Sequence, residues 1–170
     1  MIAPWPLIAA LAGAAAGQNA SPAATCSAPP FRAFDFWLGE WRVFNSQGAP
    51  DGTARIESVP NGCAILEYRV FADGGVGTAI NIFDSTVQKW SQLWASPGTV
   101  VRLEGAPSGT AMAMEGTLAS GGGTRPLRVT WDSQPDGSVR QNFFVKGETA
   151  WKPLFHSLYV KLGPSRQDLD

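Results

Sequence analysis

Short apolar segments with a period of two residues recur from residue 36 to residue 162, separated by breaks rich in Gly, Pro, Asp and Asn. This alternation is typical of half-buried β-strands, and breaks such as VPNG, ADGG and SQPDG favour tight turns. No comparable stretch carries the apolar stripe of an amphipathic helix. The pattern predicts an all-β fold, a single antiparallel meander of about ten strands that closes into a β-barrel and leaves no exposed edge. The predicted strands span residues 36–44, 53–59, 63–71, 77–83, 87–95, 99–104, 111–118, 126–132, 138–146 and 155–162.

Length and charge limit the classes of protein to consider. The chain has 170 residues, 44% of them hydrophobic and 16% charged, which suffices for one domain with one sizeable core. Its 13 basic and 14 acidic residues form no run of either sign. The sequence therefore lacks the positive patch with which proteins bind nucleic acid or an anionic membrane surface, and we expect neither as a partner.

The N-terminal region has the composition of an export signal. Residues 1–17 form an apolar run that is too short to span a bilayer and ends in small residues. We predict a signal peptide there, and hence a periplasmic or secreted protein with no membrane insertion after the signal is removed. The alternative is an apolar helix that stays in the fold. A leader rich in Ala, Pro and Ser is predicted over residues 18–32, the barrel domain over 33–163 and a polar tail over 164–170.

Cys26 and Cys63 are the only cysteines of the chain. In an oxidising compartment we expect them to form a disulfide, which would stabilise the fold by roughly 3 to 4 kcal/mol. The alternative is two separate thiols. Two cysteines and one histidine are too few for a convincing zinc site, so no metal site is predicted.

Alternation within the predicted strands assigns apolar side chains to the inner face and charged ones to the outer face, as a closed, water-soluble barrel requires. In the first strand Trp37 and Trp41 point inward, and Gly39 between them allows a close approach. Glu67 is assigned outward, although a bulge at Gly62–Cys63 would turn it inward, raise its pKa and favour acid/base chemistry. The apolar and aromatic residues assigned inward are Trp37, Trp41, Val43, Ala54, Ile56, Leu66, Tyr68, Phe83, Trp90, Trp94, Val101, Leu103, Met112, Met114, Leu127, Val129, Trp131, Val139, Phe143, Leu158, Val160 and Leu162.

Several polar side chains fall on the same predicted inner face. A few polar groups within an aromatic and Met-rich lining are typical of a small-molecule pocket. The alternative is a filled core in which the rings pack the interior and the amides bond to one another or to buried water. The candidate ligand-binding residues are Trp41, Tyr68, Asn81, Trp90, Gln92, Trp94, Met114, Trp131, Gln141 and His156.

The Gly39-Glu40-Trp41 triplet on the first predicted strand resembles the G-x-W signature of the lipocalin-like (calycin) barrels. The segments FDFWLGEW, NGCAILEY, WSQLW and GSVRQ resemble a group of uncharacterised bacterial secreted proteins related to the DUF1579 domain. The resemblance runs from about Phe34 to Leu162. It implies a β-barrel of calycin type, and it brings no established activity and no catalytic residue.

His156 lies in phase with Leu154, Leu158 and Val160 on the predicted inner face of the last strand. The related nitrobindin-like barrels bind haem through one histidine near the C-terminal end, and His156 is similarly placed. Haem ligation by His156 is therefore one alternative to a pocket without a cofactor. A purely structural histidine is the other.

The sequence contains few features that are typical of enzymes. It has no nucleophile elbow, no phosphate-binding Gly loop opening a helix and no metal-ligand spacing, so we predict no catalytic residue. The expected function is the binding of a small, largely apolar molecule by an exported barrel, without covalent chemistry and without a cofactor. A structural or protein-interaction barrel with a filled core is the alternative from another class, and the pattern leaves the oligomeric state open.

Overall fold

The computed structural model describes residues 26–163, so the predicted signal peptide and the predicted C-terminal tail lie outside the described residues. Ten strands follow a single helical turn and a short 3-10 helix. Within this range no helix is long and apolar enough to cross a membrane. The elements are α1 (Pro29–Arg32), the 3-10 helix (Asp35–Trp37), β1 (Gly39–Phe44), β2 (Pro50–Ser58), β3 (Ala64–Val70), β4 (Val76–Asp84), β5 (Lys89–Ser96), β6 (Thr99–Ser108), β7 (Ala111–Ser120), β8 (Gly123–Ser133), β9 (Val139–Lys146) and β10 (Trp151–Lys161).

The strands form one closed antiparallel barrel. Each strand pairs with the next along the chain, and β10 completes the ring by pairing with β1, where Tyr159 lies opposite Val43. The predicted fold, an all-β meander barrel of about ten strands, is confirmed. Its physical basis is the recurrence of turn residues, because short connections can join only neighbouring antiparallel strands.

Successive hairpins lie at opposite ends of the barrel. The β2–β3, β4–β5, β6–β7 and β8–β9 hairpins surround one end, together with the chain that leads into β1. We call this the closed end. The β1–β2, β3–β4, β5–β6, β7–β8 and β9–β10 hairpins surround the other, which we call the open end.

Large aromatic side chains fill the closed end. Phe34, just before the 3-10 helix, is completely buried and packs edge-on against Trp90 and Trp131, with ring centroids 5.7 and 5.2 Å away. Trp37 stacks on Phe34 at 5.1 Å, and the Trp41 indole N–H donates to the Trp37 carbonyl oxygen at 3.0 Å. We call these five residues the aromatic plug. Since buried aromatic rings supply much of a core's apolar contact, the plug makes this half of the barrel a packed core.

The chain before β1 belongs to the folded unit. Cys26 and Cys63 are joined by a disulfide, with their Cα atoms 4.8 Å apart. The backbone N–H of Cys26 also donates to the carbonyl oxygen of Asn61 in the β2–β3 hairpin. Phe31 of α1 packs edge-on against Phe83 of β4 at 5.0 Å. The described end of the predicted leader therefore covers the closed end.

The inward assignment of β3 is wrong by one residue. Ile65, Glu67 and Arg69 are buried in the interior, whereas Leu66 and Tyr68 lie on the outer face and Tyr68 is 36% exposed. Glu67 lies opposite Ile56 of β2, and side chains of directly opposite residues share a face. Since Ile56 is buried, Glu67 is buried with it.

The inward assignment of β10 is also wrong. A register shift between Pro153 and Phe155 places Ser157 and Tyr159 inside, while Leu158 and Val160 face outward. Leu162, also assigned inward, lies beyond the end of β10 and is exposed. Trp37, predicted on the first strand, is buried as expected but belongs to the 3-10 helix.

Candidate ligand-binding site

A cavity of about 340 Å³ occupies the half of the barrel nearer the open end. Most of its wall is apolar and comes from inward-facing residues of β5 to β10. Polar groups lie at two levels, at the bottom, where the cavity approaches the aromatic plug, and at the hairpins of the open end, where Asp51, Ser96, Thr99 and Ser120 stand. The lining residues are Asp51, Glu67, Arg69, Phe71, Gln92, Trp94, Ser96, Thr99, Val101, Leu118, Ser120, Leu127, Val129, Gln141, Phe143, Leu154, Phe155, Ser157 and Tyr159.

A short hydrogen-bonded chain crosses the bottom of the cavity. The Tyr159 hydroxyl donates to Gln141 Oε1 at 2.9 Å and lies 3.3 Å from Glu67 Oε1. A hydroxyl has one proton to donate, so a protonated Glu67 can donate to Tyr159 while Tyr159 donates to Gln141. The ring of Tyr159 meets Trp37 edge-on at 5.7 Å. Tyr159 therefore separates the cavity from the plug.

Glu67 has the most perturbed carboxyl group of the site. It is only 2% exposed, and burial raises its pKa from 4.5 to about 8. The hydrogen bond with Tyr159 and the positive charge of Arg69 lower the pKa but do not offset burial. Burial also raises the pKa of the Tyr159 hydroxyl well above its usual value, and the nearby Glu67 adds to that rise. At neutral pH both groups are mainly protonated and uncharged.

Arg69 provides the only buried positive charge of the described residues, and both Nη groups of its guanidinium are bonded to protein oxygens. Nη1 donates to the carbonyl oxygens of Thr53 and Val70, at 3.0 and 2.6 Å. Nη2 donates to the Asp51 carbonyl oxygen at 2.6 Å and to its carboxylate at 2.7 Å. The group also lies 4.5 Å from the centre of the Phe71 ring. The ion pair between Arg69 and Asp51 therefore has no net charge, and the hydrogen bonds to carbonyl oxygens hold its guanidinium against the backbone.

Two amides continue the polar bottom along β4 and β5. Gln92 lies opposite Asn81, and its Nε2 donates to Asn81 Oδ1 at 2.9 Å. Asn81 in turn donates to the carbonyl oxygen of Ile65 at 3.2 Å and is completely buried. Asn81 therefore holds Gln92 in place, and Gln92 lines the cavity.

Aromatic rings form the wall near the open end. Trp94 lies over Gly77 of β4, where an added Cβ would fall 2.1 Å from a ring carbon of Trp94. Phe143 and Phe155 stack on each other with centroids 4.2 Å apart. Since Phe155 is exposed at its outer side, these rings reach from the cavity to solvent.

The structure divides the predicted site residues into three groups. Gln92, Trp94 and Gln141 line the cavity, and Asn81 supports Gln92 from behind. Others belong to the packed core, and two lie on the outer face. The core residues are Trp41, Trp90, Met114 and Trp131, and the outer-face residues are Tyr68 and His156.

Three buried residues of the site were assigned wrongly or not proposed: Glu67, Arg69 and Tyr159. Their strands carry apolar residues in both phases, so alternation alone favours neither face. The pairing of β3 with β2 would have identified the correct face of β3, because it puts Glu67 on the same face as Ile56, which was predicted to point inward. That pairing depends on the length of the intervening turn.

His156 does not line the cavity. It lies opposite Asn142 on the outer face, and its backbone N–H donates a hydrogen bond to Ser46 Oγ at 2.9 Å. The inward placement on which haem ligation rested is therefore wrong, and the residues present do not fit an axial ligand inside the barrel. Within residues 26–163 no group of three or more His, Cys, Asp or Glu side chains could hold a metal ion.

A scan of the sequence against protein-family models finds no match, and a search of curated proteins finds none either. The function of the cavity must therefore be inferred from its own geometry and chemistry.

Proposed function

We propose that the protein is an exported barrel of lipocalin-like (calycin) type that binds a small, largely apolar molecule at its open end, without covalent chemistry. The observation that carries this proposal is the cavity of about 340 Å³ with apolar walls and a few polar groups at its bottom. Ligand pockets typically combine these features and range from about 300 to 1,000 Å³. Since water occupies about 30 Å³ per molecule in the liquid, the cavity has the volume of about ten water molecules, enough for a small organic molecule.

The sequence around β1 supports the calycin assignment and the resemblance to the DUF1579-related secreted proteins. The Gly39-Glu40-Trp41 triplet begins β1 directly after the 3-10 helix. Gly39 has a φ of 137°, which L side chains rarely adopt, and Trp41 belongs to the plug. The disulfide between Cys26 and Cys63 supports export, because such bonds persist in oxidising compartments.

A filled core describes only the closed half of this barrel. The plug residues Trp90 and Trp131 are buried among other rings, whereas Trp94, Gln92 and Gln141 border open space. This division favours ligand binding over a purely structural role for the open half.

Filling the cavity with a larger side chain tests the proposal. N-phenylnaphthylamine, an apolar dye that brightens in apolar surroundings, is titrated into the protein and into two variants. Leu118→Trp adds a large ring to the cavity wall and should weaken dye binding by about tenfold or more. Thr117→Trp, its matched control, adds the same ring at an exposed position of β7 and should bind like the wild type. Equal dye binding by all three proteins would mean surface adsorption and would contradict the proposal.

A further inference from the structure

The lining of the cavity carries little unbalanced charge. Asp51, Glu67 and Arg69 are the only Asp, Glu, Lys, Arg or His residues in its lining. Asp51 forms an ion pair with Arg69 at 2.7 Å. The other polar groups at the bottom are the amides of Gln92 and Gln141 and the hydroxyls of Ser157 and Tyr159. A ligand that enters this space therefore meets hydrogen-bonding groups rather than the electrostatic field of a net charge.

We propose that the cavity, taken as the ligand site argued above, selects amphiphiles whose polar end is uncharged, such as an alcohol or a primary amide. The polar end bonds to Glu67, Gln141 and Gln92, and the hydrocarbon part lies against Val101, Leu118 and Val129. Gln141 accepts from Tyr159 through Oε1, and within residues 26–163 its Nε2 makes no hydrogen bond. That Nε2 and the carboxyl of Glu67 offer both a donor and an acceptor to one ligand group.

A carboxylate ligand lacks a suitable partner here. Both hydrogens of Arg69 Nη1 and both of Nη2 are used by Asp51, Thr53 and Val70, which leaves Nε–H as the only guanidinium donor not bonded to Asp51 or to the backbone. An incoming carboxylate could reach at most that single N–H instead of forming a bidentate pair, and it would lie next to the negative charge of Asp51. Taking an unpaired charge out of water is costly, so an anionic end weakens binding.

A cationic ligand is disfavoured for a related reason. Protonated Glu67 offers no negative charge, and Arg69 is a like charge on the same strand. The aromatic rings of Phe71 and Trp94 attract cations, but the face of Phe71 is already occupied by Arg69. An amine end would have to ionise Glu67 before it could form an ion pair.

Binding of an uncharged ligand should depend on pH through Glu67. The groups that face its carboxyl are Arg69 on β3 and Tyr159 on β10, and Asp51 of β2 lies behind Arg69. On β4, β5 and β9 the facing groups are the neutral amides of Asn81, Gln92 and Gln141. Burial raises the pKa of Glu67 to about 8. A bound hydrocarbon chain disfavours the charged form further, so affinity is constant below about pH 8 and falls above it by up to about tenfold per pH unit.

Competition with the dye tests the selection. Octanol, octanamide, octanoate and octylamine have the same chain and differ in the polar end, and each is used to displace N-phenylnaphthylamine at pH 7 and across pH 6 to 10. We expect octanol and octanamide to bind about tenfold or more tightly than octanoate and octylamine. Glu67→Gln keeps a neutral end of nearly the same shape, so it should bind octanol at pH 7 and lose the decline above pH 8. Glu104→Gln, exposed on β6, is the matched control and should keep that decline.

Each other outcome overturns the inference in a recognisable way. Tightest binding of octanoate would mean that Arg69 recognises anions, and tightest binding of octylamine, increasing up to pH 8, would mean that Glu67 is a counter-ion. A decline above pH 8 that persists in Glu67→Gln would remove Glu67 from the mechanism. If Glu67→Gln does not fold, Gln141→Leu tests the same polar end and should weaken octanamide severalfold. If the dye and all four compounds fail to bind saturably, the proposed function itself fails.

Discussion

At the scale of single residues, Glu67 links the stability of the barrel to its site. Its carboxyl is buried against Tyr159 near Arg69, and burial raises its pKa from 4.5 to about 8. The folded protein therefore holds this proton more tightly than the unfolded chain does. The resulting stabilisation is fully present below about pH 4.5 and is lost progressively as the pH rises through about 8.

We predict that Glu67→Gln removes this part of the pH dependence. Relative to the variant, the free energy of unfolding of the wild type should fall by on the order of 4 to 5 kcal/mol between about pH 5 and pH 9, at about 1.4 kcal/mol per pKa unit. Urea denaturation of both proteins across this range measures the difference. Glu104→Gln should follow the wild type, and parallel curves for the wild type and Glu67→Gln would contradict the assigned pKa.

At the scale of elements, the packing of β4 against β5 shapes the cavity wall. A Cβ added to Gly77 would fall within 3 Å of three ring atoms of Trp94. Trp94 can therefore lie flat across the neighbouring strand because Gly77 has no side chain. The plug shows the same relation between elements, since the 3-10 helix carries Trp37 against Trp131 of β8 at 5.6 Å.

Gly77→Val should displace the Trp94 ring from the cavity wall. We expect a loss of about 1 to 3 kcal/mol in the free energy of unfolding from overpacking, together with weaker binding of N-phenylnaphthylamine. Denaturant unfolding and dye titration measure the two effects. Thr78→Val changes the next residue, which faces solvent, and should leave both nearly unchanged. A Gly77→Val protein with unaltered dye affinity would show that Trp94 does not shape the site.

At the scale of the whole molecule, the barrel is divided into a packed half and an open half. The segment that precedes β1 closes one end, and the disulfide from Cys26 to Cys63 fastens it to the β2–β3 hairpin. The cavity lies toward the opposite end, bounded at its bottom by Tyr159. The contacts that stabilise the closed end are therefore separate from the cavity, whereas Glu67 contributes both to stability and to the site.

Replacing both cysteines by serine should separate these two properties. Cys26→Ser with Cys63→Ser removes a cross-link over a sequence separation of 37 residues, and the loop-entropy estimate is a loss of roughly 3 to 4 kcal/mol. Thermal and urea unfolding measure that loss, while dye titration under native conditions should give an affinity near that of the wild type. A double variant with unchanged stability but impaired dye binding would contradict this division of the barrel.

Much of this architecture was predictable from local pattern. The ten strands, their antiparallel order and the closure of the ring follow from alternation and turn residues, and Gln92, Trp94 and Gln141 were correctly placed in the interior. Trp90 and Trp131 were also correctly placed inside, but alternation does not distinguish a residue of the packed half from one that borders the cavity. That distinction depends on which side chains of distant segments fill the same space.

The fold class follows from local pattern alone, because period-two alternation and frequent turns favour a meander whatever the details of packing. The faces of β3 and β10 depend instead on how these strands pair with their neighbours. Side chains alternate with a period of exactly two, so a shift of one residue exchanges every inward and outward residue of a strand. In AILEYRV both phases contain apolar residues, and the pairing of Glu67 with Ile56 selects the phase that buries the carboxyl. The chemistry of the site thus arises from strand register, which is set between strands rather than within one.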